Sequence, residues 1–406
     1  MPKTSAPIST ECQAKAIGQP FHPSCGRPIL HRELHPLNPI YVTRPYLPPL
    51  EEFLPFLEKI WETRVLTNNG PFHQELEARL TEVFDSEHVS LTTNGMLALT
   101  AAINAAQLTG EVITTPYSFV ATTHSLALQG LEPVFVDVLP DDLNIDPAAI
   151  EAAITPRTSA IMAVHVYGNP CAVEAIEDIA QRHNLTVIYD AAHAFGVRYK
   201  GRSLLSYGDF AALSFHATKA FNTFEGGAVV ASTAKRKRAV DAARNFGIAD
   251  EVNIPVLGTN AKMSEINAAF GVLQLKHFED VRRQRREIDT RYRDALNAVP
   301  GITVIAIPDE VEPNYSYFPI LIDENFPISR DALYEALKAQ DIYSRRYFYP
   351  LLSSLPMYVS LPSATKGRMP VAERAADRVL SLPIYPGLTQ ENQQRIIDAI
   401  VAQAHP

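Results

Sequence analysis

The chain has 406 residues, 46% hydrophobic and 20% charged, material for two or three domains or one large domain with a smaller satellite, and a composition that excludes a disordered or fibrous polymer. Lys and Arg number 36 against 45 Asp and Glu, a formal charge of −9, which argues against wrapping nucleic acid, since that needs a basic face. Apolar runs stop well short of the ~20 residues a membrane helix needs, and the three cysteines, Cys12, Cys25 and Cys171, are too sparse for a disulfide scaffold and suit a reducing, cytoplasmic compartment.

In chain order, residues 1–38 come first as a Pro- and His-rich extension, read as a loosely ordered arm. It lacks the basic start and apolar stretch of a secretion signal. Among Cys12, His22, Cys25, His31 and His35 there is no CxxC or HxxxH pair framed by other ligands at zinc-finger spacing, so no metal site is expected. From about residue 85 strands alternate with helices. Strands are predicted at 88–93, 111–115, 133–138, 159–166, 185–190 and 227–232, with a further strand ending at Ser214. Helices are predicted over Leu97–Gln107, Ser118–Leu128, Ala172–His183 and Lys235–Phe246. This alternation predicts an α/β fold with a mostly parallel, buried sheet. A long periodic helix follows over 263–298, its second half charged; acids interrupt the basic run, so it reads as a solvated face. Beyond Pro300 proline becomes frequent, and a strand at 316–322 mixes with helices at 329–340 and 389–403. The expected organisation is the extension at 1–38, a large domain at 39–280 and a smaller α+β domain at 281–406.

Three segments carry candidate chemistry. In "LTTNGMLAL" (91–99) a strand turns into a helix at Asn94-Gly95-Met96. Free N–H groups at a helix start bind anions, and Gly95 lets the backbone approach a phosphate. Neither GxGxxG nor GxxxxGK[ST] is present, so dinucleotide and P-loop readings lack a motif. In "LTVIYDAAHAFG" (185–196) Asp190 closes a buried strand, at the edge where open α/β sheets bind ligands. In "SFHATKAFNTFEGG" (214–227) Lys219 lies in a small-residue loop after Ser214, flanked by His216 and Thr218. A lysine enclosed there can bond to a carbonyl carbon. Taken singly, these are an ordinary βα turn, a structural carboxylate and a surface lysine. Together, an acid and a lysine at neighbouring strand ends meet the needs of pyridoxal phosphate: a lysine for the aldehyde and an acid for the ring nitrogen.

The order of phosphate turn, aromatic helix start (115–125), Asp190 and Lys219 resembles the fold-type I pyridoxal-phosphate enzymes. Within them the chain resembles the DegT/DnrJ/EryC1/StrS sugar aminotransferase family. The likeness runs from about Ile40 to the C-terminus, through "LTNNGPFHQELEARL", "TPYSFVATTHS", "HVYGNP", "YDAAHAFG", "SFHATK", "EGGAVV", "GTNAKMSEINAAFG" and "LSLPIYPGLT". The resemblance implies pyridoxal 5′-phosphate as cofactor. Lys219 would hold its aldehyde and move the substrate proton, Asp190 would pair with the ring nitrogen, and His193 would sit at the phenolic oxygen. Phe119 would cover the ring face. Asn94, Gly95, Met96 and Ser214 would receive the phosphate, with Asn260 of a second chain completing the site in a homodimer. Gly-Thr or Gly-Ser is commoner in the family than Asn-Gly-Met at this turn. His216 and Lys262 would meet the substrate, Lys262 at an anionic group.

The reaction implied takes the amino group of L-glutamate, releasing 2-oxoglutarate. It passes that group to C4 of a nucleotide-linked 4-keto-6-deoxyhexose, dTDP-4-dehydro-6-deoxy-D-glucose, in O-antigen, cell-surface or antibiotic sugar biosynthesis. Amination at C3, a UDP or GDP carrier, and a catalytically silent sensor of the same fold stay open as alternatives. Histidine replaces the lysine in dehydratase relatives, and Lys219 disfavours that branch. A cysteine desulfurase needs a cysteine after the lysine, and no cysteine follows Lys219.

Overall fold

The computed structural model describes residues 39–404. The candidate metal ligands Cys12, His22, Cys25, His31 and His35, with the rest of the extension, lie outside them. The strands, in chain order, are β1 (Ile40–Tyr41), β2 (Val89–Thr92), β3 (Glu111–Thr114), β4 (Glu132–Phe135), β5 (Thr158–Val164), β6 (Thr186–Asp190), β7 (Arg198–Tyr199), β8 (Arg202–Ser203), β9 (Phe210–Ser214), β10 (Gly227–Ala231), β11 (Ile302–Val304), β12 (Val311–Glu312), β13 (Phe318–Ile322), β14 (Ile342–Tyr343) and β15 (Val379–Leu382). The helices are α1 (Leu50–Thr63), α2 (Pro71–Val83), α3 (Gly95–Ala106), α4 (Val120–Ala127), α5 (Pro147–Ala152), α6 (Val173–His183), α7 (Ala234–Ala243), α8 (Glu265–Leu296), α9 (Arg330–Lys338), α10 (Pro370–Arg378) and α11 (Gln390–Ala404).

Seven strands form the main sheet in the order β2-β10-β9-β6-β5-β3-β4. Its pairs are parallel except those of β10, which runs antiparallel to both neighbours. The expected α/β architecture with a mostly parallel sheet is therefore present. Successive strand residues point to opposite faces, and both faces are apolar. Ile161, Ala163, Val187 and Tyr189 pack with Leu76 and Leu80 of α2 and Ile176 of α6. Ala160, Met162, Ile188 and Phe210 pack with Ala98, Leu99 and Ile103 of α3.

The same period places the functional side chains. On β6, Asp190 follows Ile188 by two and so faces the α3 side. On β9, Ser214 follows Phe210 and Ala212 to that side.

A smaller antiparallel sheet, β11-β13-β15, lies toward the C-terminus, and β12-β7-β8 and β1-β14 are minor additions. Helix α8 runs without a break through 280/281. Its Ala268 and Val272 belong to the core under the main sheet, while Ile288, Tyr292 and Leu296 pack with Phe318, Ile320 and Leu380 of the smaller sheet. One helix thus contributes to both cores, because its apolar stripe continues past its charged middle. Helices α1 and α2 are absent from the expected elements, and the strand expected at 227–232 is present as β10 but runs antiparallel to its neighbours. Pro55 lies inside α1 and interrupts a helix reading despite its apolar face, whereas α2 has only a weak apolar face. Cys171 is buried, its thiol donating to the Val164 carbonyl at 3.0 Å.

Candidate active site

The turn before α3 is built for close approach. Asn94 caps the helix, its side-chain oxygen accepting from the Leu97 N–H at 2.9 Å. That oxygen is engaged in the cap, so the donors left at the helix start are the first-turn N–H groups of Gly95 and Met96. A Cβ at Gly95 would lie 2.7 Å from Cβ of Ser214, and one at Gly227 would lie 2.7 Å from the Asn94 carbonyl. Glycine is required at both positions for the turn to press against β9 and β10. Gly95, Met96 and the Ser214 hydroxyl consequently share one small volume at the positive end of a 12-residue helix.

Asp190 ends β6 one strand from Ser214, β6 and β9 being adjacent and parallel. Its carboxylate accepts from the Thr122 hydroxyl at 2.7 Å and the Ala192 N–H at 3.2 Å. Burial pushes its pKa up, opposed by the Thr122 bond, the Ala192 N–H and the charge of Lys219. Thr122 is held in turn by the Ser118 hydroxyl at 2.7 Å. These partners come from α4 and the segment before it, whose N-cap is Phe119, a side chain left 59% exposed.

His193 is buried on the loop after Asp190, and its Nδ1 has no hydrogen-bond partner. Burial, then the nearby Lys219 charge, pushes its pKa well down, so the imidazole is neutral. Its backbone carbonyl accepts from Asn314 Nδ2 at 2.8 Å and the Ser316 hydroxyl at 3.3 Å. Gly168, at φ +91, passes beneath that carbonyl, where a Cβ would meet it at 2.8 Å.

Lys219 is half-buried in the turn after β9, and its Nζ donates to the Tyr317 hydroxyl at 3.2 Å. Its charge acts on both Asp190 and His193. The fold thus gathers Asp190, His193 and Lys219 at one edge of the sheet, with Gly95, Met96 and Ser214 beside them.

The remaining predicted residues lie differently. His216 is exposed, its Nδ1 2.8 Å from the Thr218 hydroxyl and its Nε2 3.6 Å from Glu225. Lys262 donates to Asn245 Oδ1 at 3.0 Å, stands over the Phe246 ring and lines a 460 Å³ cavity together with Asn68, Arg238 and Asn245. Asn260 is exposed and bridges to Asn245 through the backbone.

Thr122 and Tyr317 are site residues that the sequence did not single out. Thr122 sits within a quoted motif, but its role depends on α4 meeting β6. Tyr317 falls inside a run that reads as a C-terminal strand.

The residues fit pyridoxal 5′-phosphate on grounds internal to this structure. A buried carboxylate lacks a hydrogen-bonded cation, a buried imidazole nitrogen lacks a partner, and a half-buried lysine lies near both. Helix N–H groups and a hydroxyl gather where a phosphate would bind.

Comparison with known proteins finds matches over most of the chain. Residues 50–401 match the model of the DegT/DnrJ/EryC1/StrS aminotransferase family. The chain is 52% identical over 363 residues to a dTDP-4-amino-4,6-dideoxy-D-glucose transaminase of Shigella dysenteriae, covering 89% of this chain and 98% of that one. It is 53% identical over 353 residues to the Escherichia coli protein of the same name, covering 87% and 95%. The crystal structure of DesI in the presence of its TDP-sugar product superposes with a TM-score of 0.86 at 39% identity, over 90% of this chain and 93% of that one.

Proposed function

The chain belongs to the DegT/DnrJ/EryC1/StrS aminotransferase family, and from that premise we propose that it moves the amino group of L-glutamate to C4 of dTDP-4-dehydro-6-deoxy-D-glucose, using pyridoxal 5′-phosphate. The observation that carries the chemistry is the buried Asp190 carboxylate at the end of β6 beside Lys219, across adjacent parallel strands. The choice of sugar is supported by the two bacterial relatives, whose names give the amino sugar formed.

When bound, the cofactor supplies an aldehyde that takes up an amino group and a ring that accepts the electron pair left when a carbon loses its proton. Lys219 is the residue to hold that aldehyde between turnovers. Once free, its amine would take the proton from the donor's α-carbon and hand it to the carbon that had been the aldehyde's. Asp190 keeps a negative charge against the ring nitrogen, holding a proton there. Its own bonds to Thr122 and the Ala192 N–H favour the charged carboxylate that this task needs. His193 offers Nδ1 to the phenolic oxygen, Phe119 covers the ring, and the Gly95 and Met96 N–H groups with the Ser214 hydroxyl take the phosphate.

We place Asn260 of a second chain at the same phosphate, which makes the enzyme a homodimer. The segment before Asn260 supports this: Val252 is 91% and Leu257 90% exposed, unusual for a lone chain in water. His216 and Lys262 are assigned to the nucleotide sugar, Lys262 at its phosphates. The setting we propose is cytoplasmic, on a route to O-antigen or other cell-surface sugars.

An absorption spectrum tests the reading. Protein reconstituted with pyridoxal 5′-phosphate should show a visible band that bleaches on adding L-glutamate. Adding the dTDP-linked keto-sugar should then restore the band and yield an amino sugar detectable by mass spectrometry. A chain that stays colourless with the cofactor supplied would return the silent-sensor reading to first place. Faster amination of a UDP-linked or 3-keto sugar would overturn the proposed substrate alone.

A further inference from the structure

We propose that Tyr317 is a positioning residue for Lys219, an acceptor that holds the lysine amine whenever it is not bonded to cofactor or substrate. The inference rests on the function proposed above and adds a residue to it.

Tyr317 touches both groups that face the reacting atoms. Its hydroxyl accepts from Lys219 Nζ at 3.2 Å, and that nitrogen lies 5.6 Å from the centre of its ring, inside cation–π range. The same ring packs against the His193 imidazole at 4.7 Å. Asp190 and His193 come from the loop end of β6, whereas Tyr317 arrives from the strand system nearer the C-terminus. The site is therefore completed by a side chain from outside the main sheet.

The position of that hydroxyl is fixed from behind. Asn314 and Ser316 hydrogen-bond to the His193 carbonyl, tying the segment before Tyr317 to the loop it serves. On its other side Arg285 of α8, fully buried, donates to the carbonyls of Tyr315, Ser316 and Ile384 at 3.2, 3.3 and 3.2 Å. A buried guanidinium devoted to backbone carbonyls holds a segment in place at the cost of its own hydration. Such anchoring suits a side chain whose oxygen must stay within hydrogen-bond reach of a moving amine. A lysine that alternates between bonded and free states travels several bonds' length on a flexible stem, and proton transfer falls steeply when its nitrogen is misplaced. An oriented acceptor with a π face gives the free ammonium one resting place.

The test compares Tyr317→Phe, which keeps the ring and its contact with His193, with Tyr317→Leu, which removes both. Each is reconstituted with pyridoxal 5′-phosphate and followed by the pH titration of its visible band, by single-turnover reaction with L-glutamate and by thermal unfolding. We expect Tyr317→Phe to bind the cofactor stoichiometrically and unfold at the unaltered temperature. Its titration midpoint should shift, and its single-turnover rate should fall about tenfold with KM for glutamate within about twofold. Tyr317→Leu should lose more rate than Tyr317→Phe. An unchanged titration midpoint and rate in Tyr317→Phe overturn the proposal while leaving the functional reading intact. So does a loss that appears only in KM or in cofactor content. If the unaltered protein shows no band with the cofactor supplied, the functional reading fails and this inference falls with it.

Discussion

Asp190 illustrates how much of this site is decided by one side chain's surroundings. Burial raises the pKa of the carboxylate, while the Thr122 hydroxyl, the Ala192 N–H and the Lys219 charge pull toward the ionised form. Asp190→Asn keeps the shape and removes the charge. We expect it to leave the unfolding midpoint within a few degrees and to lower kcat by at least about a hundredfold, measured by glutamate turnover; a near-unaltered rate would refute the role assigned to Asp190. Two other groups, buried His165 and part-buried Glu77, make the fold sensitive to acid. His165, stacked on Tyr189 at 4.4 Å, has its pKa pushed down to about 3 by burial. Above about pH 6.5 it is neutral both folded and unfolded. Below that the unfolded chain takes up a proton that the folded one refuses, so stability drains away as pH falls toward about 3. Burial alone would raise Glu77, but His73, Arg244 and Lys237 overcome it and hold Glu77 at about 2. Its contribution is complete above its unfolded value of about 4.3 and is lost as pH falls toward 2. Urea unfolding from pH 7 to about 4.5 should therefore show stability falling by up to about 1.4 kcal/mol per pH unit through the His165 window, with a further loss from Glu77 when the series is carried on to about pH 3; a flat profile in the first range would contradict the His165 assignment, and no added loss in the second would contradict that of Glu77.

At the scale of elements, the site is a meeting of ends. The start of α3 abuts the end of β9, and the start of α4 brings Thr122 to the end of β6. Gly95 is the tightest of these joints, with 2.7 Å from its hypothetical Cβ to Ser214. Gly95→Ala forces backbone and strand apart at the point assigned to the phosphate. Asn94→Ala removes only a cap, worth about 1 kcal/mol. Equilibrium dialysis should find cofactor affinity reduced more by Gly95→Ala than by Asn94→Ala. The reverse order would mean that the Asn94 side chain, rather than the turn backbone, makes the phosphate contact.

For the whole molecule, the decisive question is which chain completes each site. If Asn260 serves its partner, chains carrying Lys219→Ala and chains carrying Asn260→Ala should complement on mixing. In a hybrid dimer one site has an intact lysine and receives Asn260 from the other chain. With equal amounts and free exchange, activity should recover to about one quarter of the unaltered protein, since half the dimers are hybrids with one good site each. No recovery would place Asn260 on its own chain's site or remove it from the chemistry.

The sequence alone determined the α/β alternation, the parallel strand ends carrying Asp190 and Ser214, and the turn at Gly95, because strand and helix periods and glycine's lack of a side chain are local properties. It also carried the family likeness, since Asp190, His193 and Lys219 stand in short motifs in a set order. Tertiary structure alone decided the rest. Thr122 reaches Asp190 across 68 residues of chain, and Tyr317 reaches Lys219 across 98. Neither spacing leaves a local pattern, so Tyr317 read only as part of a C-terminal strand. The antiparallel turn of β10 and the sharing of α8 between two cores are likewise settled by which apolar faces find each other, a choice made by packing and not by any one segment.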